Sequence, residues 1–475
     1  MRADCEGSSL AKKTDLTKGS PAKSLLLFAF PIILGNLFQQ FYNMADSIIV
    51  GNFVGEDALA AVGASYALTT VFIMIAIGGG NGAAVLTSQY LGARQYDKMK
   101  TSISTALITL LGVSFLLGIV GFFGNRQILA VLDTPENILP LAGEYLRIYF
   151  VGLPFLFMYN VLAAIFNSLG DSRTPLYLLI FSSVLNVMLD LVAVLWLDLG
   201  VAGVAMATVT AQGVAACVSF GLMLKRLRDF AEDVEEKTCD DEEHRDVKAY
   251  KRAPLYDLGM LTRGTRIAIP TILQQSIVSI GMLLVQSVVN DFGSAALAGY
   301  AAANRVESIS LVPMIATGNA VATFTAQNIG AGRKERVVYG HLAGCIIVAG
   351  FAAVIAVVVG CWNEPIVLAF LGQEASAQAL AVGTGYLSFT AWFTVLLGLK
   401  TCTDAVLRGS GDVLVFTLAN LANLLIRVSG ATLLAPILGV RAVWYVVPVG
   451  WLANFLISFV RYRMGRWKEK RVMRG

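Results

Sequence analysis

Apolar runs of about twenty residues, broken by short polar stretches, set the rhythm of this chain. A helix rises about 1.5 Å per residue, so about 20 such residues cross a hydrocarbon layer about 30 Å thick. Runs of that kind fall at 25–50, 58–80, 101–124, 142–167, 175–197, 202–224, 267–290, 295–318, 340–361, 379–403, 413–436 and 442–462. In lipid a backbone has no water to bond, so each run is predicted to be a helix. The short alternating segments of a membrane barrel are absent. The pattern therefore predicts an all-α, polytopic membrane protein with 12 transmembrane helices. It divides into a polar tail (1–24), a first lobe (25–224), a charged linker (225–266), a second lobe (267–462) and a second tail (463–475). The linker mixes charges of both signs and reads as a flexible, partly helical connection. The first apolar run is a full span without a small-residue cleavage site, so it reads as a retained helix.

Composition sharpens this picture. Of 475 residues 56% are hydrophobic and only 14% charged, and the mean hydropathy is +0.68. Soluble domains carry about 25% charged residues. A soluble enzyme, a disordered chain and a disulfide-stapled secreted domain are excluded. A net charge of +4 is small for a nucleic-acid binder. Two His and six scattered Cys give no metal-like spacing, so no metal site is expected. No nucleotide-binding loop occurs, so ATP is not the expected energy source.

Positive charge orients the spans. Of the 36 Lys and Arg, only Arg126, Arg147 and Arg441 fall in loops of one side. Arg305 and Arg427 lie inside spans, and all others lie in the tails and the opposite loops. Both termini are thus expected in the cytoplasm, in the cell membrane.

The two lobes repeat one another. Phe30-Pro31-Ile32-Ile33-Leu34 returns as Ile269-Pro270-Thr271-Ile272-Leu273. Gly55, Ala58, Leu59 and Ala60 match Gly293, Ala296, Leu297 and Ala298 in one register. That register also pairs Gly80-Asn81 with Gly318-Asn319, and Gln89, Gly92 and Ala93 with Gln327, Gly330 and Ala331. An even number of spans in each half makes the repeats parallel, as in two-lobed carriers that rock around a midplane cavity. These motifs, with Gln89-Tyr90-Leu91-Gly92-Ala93, Gln327-Asn328-Ile329-Gly330-Ala331, Asn167-Ser168-Leu169-Gly170-Asp171 and Arg408-Gly409-Ser410-Gly411-Asp412, resemble the multidrug and toxic compound extrusion (MATE) family, closest to its DNA-damage-inducible-F-like branch. The resemblance implies a V-shaped, two-lobed fold. It also implies cation-driven efflux of amphipathic, often cationic compounds. The chain is expected to act as a monomer.

Candidate chemistry starts from the cost of charge in oil, about 2.5–3.5 kcal/mol for an acid at a helix centre. Away from span ends the acids are Asp46, Asp190 and Glu307, with Asp404 near the end of span ten. Asp190 follows Asn186 by four residues, which puts both on one helix face. Thr208 on span six, and Tyr145, Tyr149 and Asn160 on span four, are polar groups that can converge in the same lobe. At the repeat positions Asp46 meets Leu284 or Val285, and Asp190 meets Ala431. This asymmetry predicts a coupling-ion site for H+ or Na+ in the first lobe. The resemblance places Asp46, Asn186, Asp190 and Thr208, with Tyr145 and Asn160, at the branch's cation-coupling cluster. Another branch uses a Glu on span seven with an Asp on span ten; here span seven has no acid, leaving only Asp404.

Pro31 lacks an N–H and is a candidate hinge in span one. Glu307 is expected to pair with Arg427 across spans. Asp404 is expected to be solvated. Gln39, Gln40, Gln274 and Gln275, with Met44 and Met282, are candidates for a substrate path, since buried amides seek partners and thioethers adapt to varied ligands. The predicted function is secondary active multidrug efflux by H+- or Na+-coupled antiport, with small-molecule substrates, membrane lipids as surroundings, no nucleic acid and no cofactor beyond the coupling ion. The alternative is a flippase for lipid-linked oligosaccharide or lipid II; only two basic residues within spans count against it. An intramembrane enzyme needs a catalytic cluster that the chain lacks.

Overall fold

Each predicted run is helical in the computed structural model, which describes residues 15–131, 134–239, 254–372 and 375–470. The helices are α1 (Pro21–Ile49), α2 (Glu56–Gly92), α3 (Tyr96–Val131), α4 (Leu139–Ser168), α5 (Arg173–Leu191) and α6 (Gly200–Cys239) in the first half. The second half contributes α7 (Leu258–Asn290), α8 (Ser294–Gly330), α9 (Lys334–Leu371), α10 (Ala377–Ser410), α11 (Val413–Leu438) and α12 (Arg441–Arg463). All twelve are long and apolar enough to cross a membrane. Among the described residues there is no strand.

The helices overrun their apolar cores. α6 carries on through the charged segment to Cys239, and α7 begins at Leu258, so much of the expected linker is helix. Residues 240–253 of that linker lie outside the described residues. On its far side Ser104 of α3 donates to the Leu255 carbonyl at 2.6 Å, and Asp257 caps α7 by accepting from the Met260 amide at 2.7 Å. α1 passes through Pro31 without a break. The break among the described helices is at Trp362 in α9, with φ −131° and ψ 25°, three residues before Pro365. A proline ring collides with the carbonyl about one turn back, and the helix bends there.

Neither tail is loose where described. Leu16 is fully buried among Phe28, Phe324 and Trp467. The carbonyls of the strap 15–20 are taken by the second half. Asn328 donates to Leu16, Arg333 to Thr17, and Arg336 to Leu16, Lys18 and Gly19. At the other end Trp467 is buried and stacks on Tyr462. Residues 1–14 and 471–475 lie outside the described residues.

The repeated motifs lock the halves together. Gln89 of α2 donates to the Gly409 carbonyl at 3.2 Å, and Gln327 of α8 donates to the Ser168 carbonyl at 2.8 Å. Gln89 and Gln327 are repeat mates, as are Ser168 and Gly409, so the two bonds form one pseudo-symmetric clasp. α2 and α8 approach so closely that a Cβ on Gly92 would fall on the Gln327 carbonyl, and one on Gly330 on the Gln89 carbonyl. Beside the clasp, the loops after α4 and α10 each turn on a left-handed glycine, Gly170 (φ 80°) and Gly411 (φ 88°). Each following Asp is tied to the last helix of its own half. Asp171 faces Arg226 at 3.9 Å, and Asp412 is held by two bonds from Arg461 at 2.6 and 3.1 Å. The halves are therefore closed on each other at the end that bears both termini.

Candidate functional site

A polar cluster forms inside the first half, at the end away from the termini. α1 supplies Tyr42 and Asp46, α5 supplies Asn186 and Asp190, α6 supplies Thr208, and α4 supplies Tyr145 and Tyr149. Asp190 is fully buried, Asn186 and Thr208 nearly so, and Asp46 half-buried. The carboxyls of Asp46 and Asp190 lie within hydrogen-bonding reach of one another. Asn186 bridges the helices. With its amide turned to the orientation that its neighbours' donors and acceptors satisfy, its nitrogen donates to Asp190 at 3.0 Å and to the Tyr42 hydroxyl at 3.1 Å, and its oxygen accepts from the Thr208 amide at 3.1 Å and hydroxyl at 3.3 Å. Tyr42 also bonds Thr208. Tyr145 stands within electrostatic reach of both acids and stacks on Tyr149 with ring centroids 6.4 Å apart.

The backbone is unusual on both acid-bearing helices. α1 ends in a π-helical turn, Val50–Val54, and α5 in another, Val192–Trp196. Their wide bonds run from the Gly55 amide to the Val50 carbonyl and from the Leu197 amide to the Val192 carbonyl. The two turns pack against each other just past Asp46 and Asp190. π turns of this kind cluster at functional sites. The repeat mates α7 and α11 end without one.

Two carboxylates side by side and out of water repel strongly. Among the described residues no basic side chain acts on either acid. A shared proton or a small cation would relieve that repulsion. The surrounding donor set of carboxyl, amide, hydroxyl and phenol oxygens suits either one.

The structure brings together Asp46, Asn186, Asp190, Thr208 and Tyr145, but not Asn160. Fifteen residues separate Asn160 from Tyr145 on α4, about 22 Å at 1.5 Å per residue. Asn160 instead donates to the Leu156 carbonyl of its own helix at 2.9 Å. Tyr42 is the member that sequence reasoning left outside the cluster. Its place one turn before Asp46 was the available signal, the same spacing that links Asn186 to Asp190. Asn43 points away, accepting from Gln39 at 3.0 Å.

The other candidates fall as follows. Glu307 is not in direct contact with Arg427. Tyr386 donates to its carboxylate at 2.8 Å, while Arg427 acts from beyond ion-pair distance. Asp404 is buried rather than solvated, because Lys400, one turn earlier on α10, folds onto it at 3.4 Å and Ser458 of α12 donates to it. Lys400 also donates to Asn420 at 3.0 Å. Met44 and Met282 are 48% and 42% exposed, Gln40 is exposed, and Gln39, Gln274 and Gln275 are half-buried.

A family model, MatE, matches residues 31–192 and again 270–433, once in each half. The chain belongs to the MATE family. Its members are transporters, and this MATE protein is a multi-pass membrane transporter rather than an enzyme. YpnP of Bacillus subtilis (strain 168), described as a probable multidrug resistance protein, is 31% identical over 463 residues, spanning 97% of this chain and 99% of its own. YoeA of the same strain, described likewise, is 29% identical over 465 residues, 96% of each chain. In fold, the MATE protein is similar to a solved outward-facing conformation of a multidrug resistance MATE family transporter. The TM-score is 0.85 at 23% identity, covering 98% of this chain and 100% of that one.

Proposed function

We propose that this MATE protein exports amphipathic, often cationic compounds from the cell by alternating access, in exchange for H+ or Na+. The observation that carries this reading is the Asp46–Asp190 pair, within hydrogen-bonding reach and without a basic partner among the described residues. The names of YpnP and YoeA support the substrate class. The excess of Lys and Arg on the termini side supports cytoplasmic termini in the cell membrane.

A coupling ion does work only if it binds two conformations unequally. In the closed-clasp state the ion enters from outside and binds between α1 and α5. Loss of the repulsion lets α1 repack against α5 and α6, with Pro31 as the weak point of α1, and substrate leaves on that side. The clasp then opens and the ion is released inside.

The test is efflux of a fluorescent amphipathic cation from proteoliposomes under an imposed pH gradient or an imposed Na+ gradient. One of the two drives export if the reading holds. Failure of both, with scrambling of a lipid-linked oligosaccharide instead, overturns it in favour of a flippase.

A further inference from the structure

A cavity of about 950 Å³ opens between the start of α1 and the start of α9, one helix from each half. Its mouth is basic. Arg333, Lys334 and Arg336 line it against a single acid, Glu335. Ser20 precedes α1 without a side-chain cap, Pro21 supplies no N–H, and Ser20, Pro21 and Ala22 line the same mouth, at the positive end of the α1 dipole. Below the mouth the walls turn apolar, with Leu26 on one side and Leu342, Ile346 and Ile347 on the other. From Lys334 to Ile346 the helix descends about 18 Å at 1.5 Å per residue. Tyr339, 64% exposed, stands at the rim, where aromatic residues mark the level of lipid headgroups.

A basic mouth over an apolar channel of that depth matches one chemistry. We propose that this cleft binds an anionic glycerophospholipid, with the phosphate at Lys334 and the α1 amides and an acyl chain along Leu342 and Ile346. A soluble phosphate would use the basic mouth but leave the apolar walls without a role, and a zwitterionic lipid would set its own ammonium against three cations. The lipid bridges the two halves beside the strap 15–20, so its binding favours the closed clasp. Arg333 and Arg336 are held by the strap carbonyls. Lys334 has no such duty, which makes it the residue to change. The proposal needs only that the helices lie in a membrane, and its readout is binding rather than transport.

Native mass spectrometry of the full-length protein in detergent reads the site directly. The probes are phosphatidylglycerol, phosphatidylcholine of the same acyl chains, and soluble glycerol phosphate. The expected result is a one-to-one phosphatidylglycerol adduct that survives activation at which phosphatidylcholine is lost, and that glycerol phosphate does not displace. A basic residue near a lipid surface contributes about 1 kcal/mol, so Lys334→Gln should weaken the adduct about fivefold. Ile346→Trp, which narrows the apolar channel and touches no charge, should weaken both lipids alike. Equal retention of the two lipids by the unmodified protein, or an unchanged headgroup preference in Lys334→Gln, overturns the proposal. Displacement by glycerol phosphate also overturns it, in favour of a simple anion site.

Discussion

The two halves share a scaffold but treat buried acid in opposite ways. In the first half Asp46 and Asp190 face each other without a base among the described residues. In the second half every interior acid among the described residues has an answering group. Asp404 has Lys400 at 3.4 Å, Asp412 has Arg461, and Glu307 has the Tyr386 hydroxyl with the Arg427 charge nearby. At the positions that mirror Asp46 and Asp190, the second half puts apolar residues: Leu284 or Val285 for the first and Ala431 for the second, with Val285 and Ala431 fully buried in one hydrophobic cluster. An acid already neutralised from within the chain gains little from a soluble cation. An acid pair left to itself gains a great deal. Duplication supplied the frame, and under the proposed coupling the difference in partners makes the first half the one that answers to an ion.

The comparison is most sharply broken at Asp190. Asp190→Asn should reduce proteoliposome efflux to that of protein-free vesicles while the protein still reaches the membrane and unfolds at a similar temperature. Full transport by that variant would mean that the first half is as inert as the second. Asp404→Asn should do the reverse. Leaving Lys400 buried without its partner costs about 3–5 kcal/mol, seen as a large fall in melting temperature. The double change Lys400→Met with Asp404→Leu should recover most of that stability and keep transport, because a buried ion pair can be replaced by apolar packing at little cost. A double variant that is stable but transports nothing would give the second half a part in coupling. Gly92→Leu comes next. Its side chain would meet the Gln327 carbonyl and hold the clasp apart. Each 1.4 kcal/mol of clash shifts the closed-to-open ratio about tenfold, which a distance measurement across the termini end would show. The smallest effect belongs to Tyr42→Phe. The hydroxyl it removes bonds both Asn186 and Thr208, each bond worth about 1 kcal/mol at most, so half-saturation by the coupling ion should move about five- to thirtyfold with maximal rate little changed.

The spans were legible because hydrocarbon demands about twenty apolar residues from any helix that crosses it. Their ends were not, since nothing in that demand stops α6 before Cys239 or starts α7 only after the charged segment. The acid pair was legible for the same energetic reason, and the four-residue step from Asn186 to Asp190 correctly put them on one face. Asn160 was misjudged because residue type was weighed without the distance along α4. Asp404 was misjudged because Lys400 was counted as a loop charge, although the two stand one turn apart. The Gln89 and Gln327 motifs were visible as repeats. That each reaches into the opposite half depends on which helices meet, and a single chain carries no direct mark of that.

The strap ahead of α1 has a consequence for biogenesis. Leu16 emerges from the ribosome early, yet its carbonyl partners Asn328 and Arg336 follow 312 and 320 residues later. At about 5–20 residues per second, those partners lag by roughly 16–64 s. Through that interval the first helix is already inserted while the segment before it waits in water for the other half of the protein. Docking of Leu16 is thus a late event that reports that α8 and α9 have arrived.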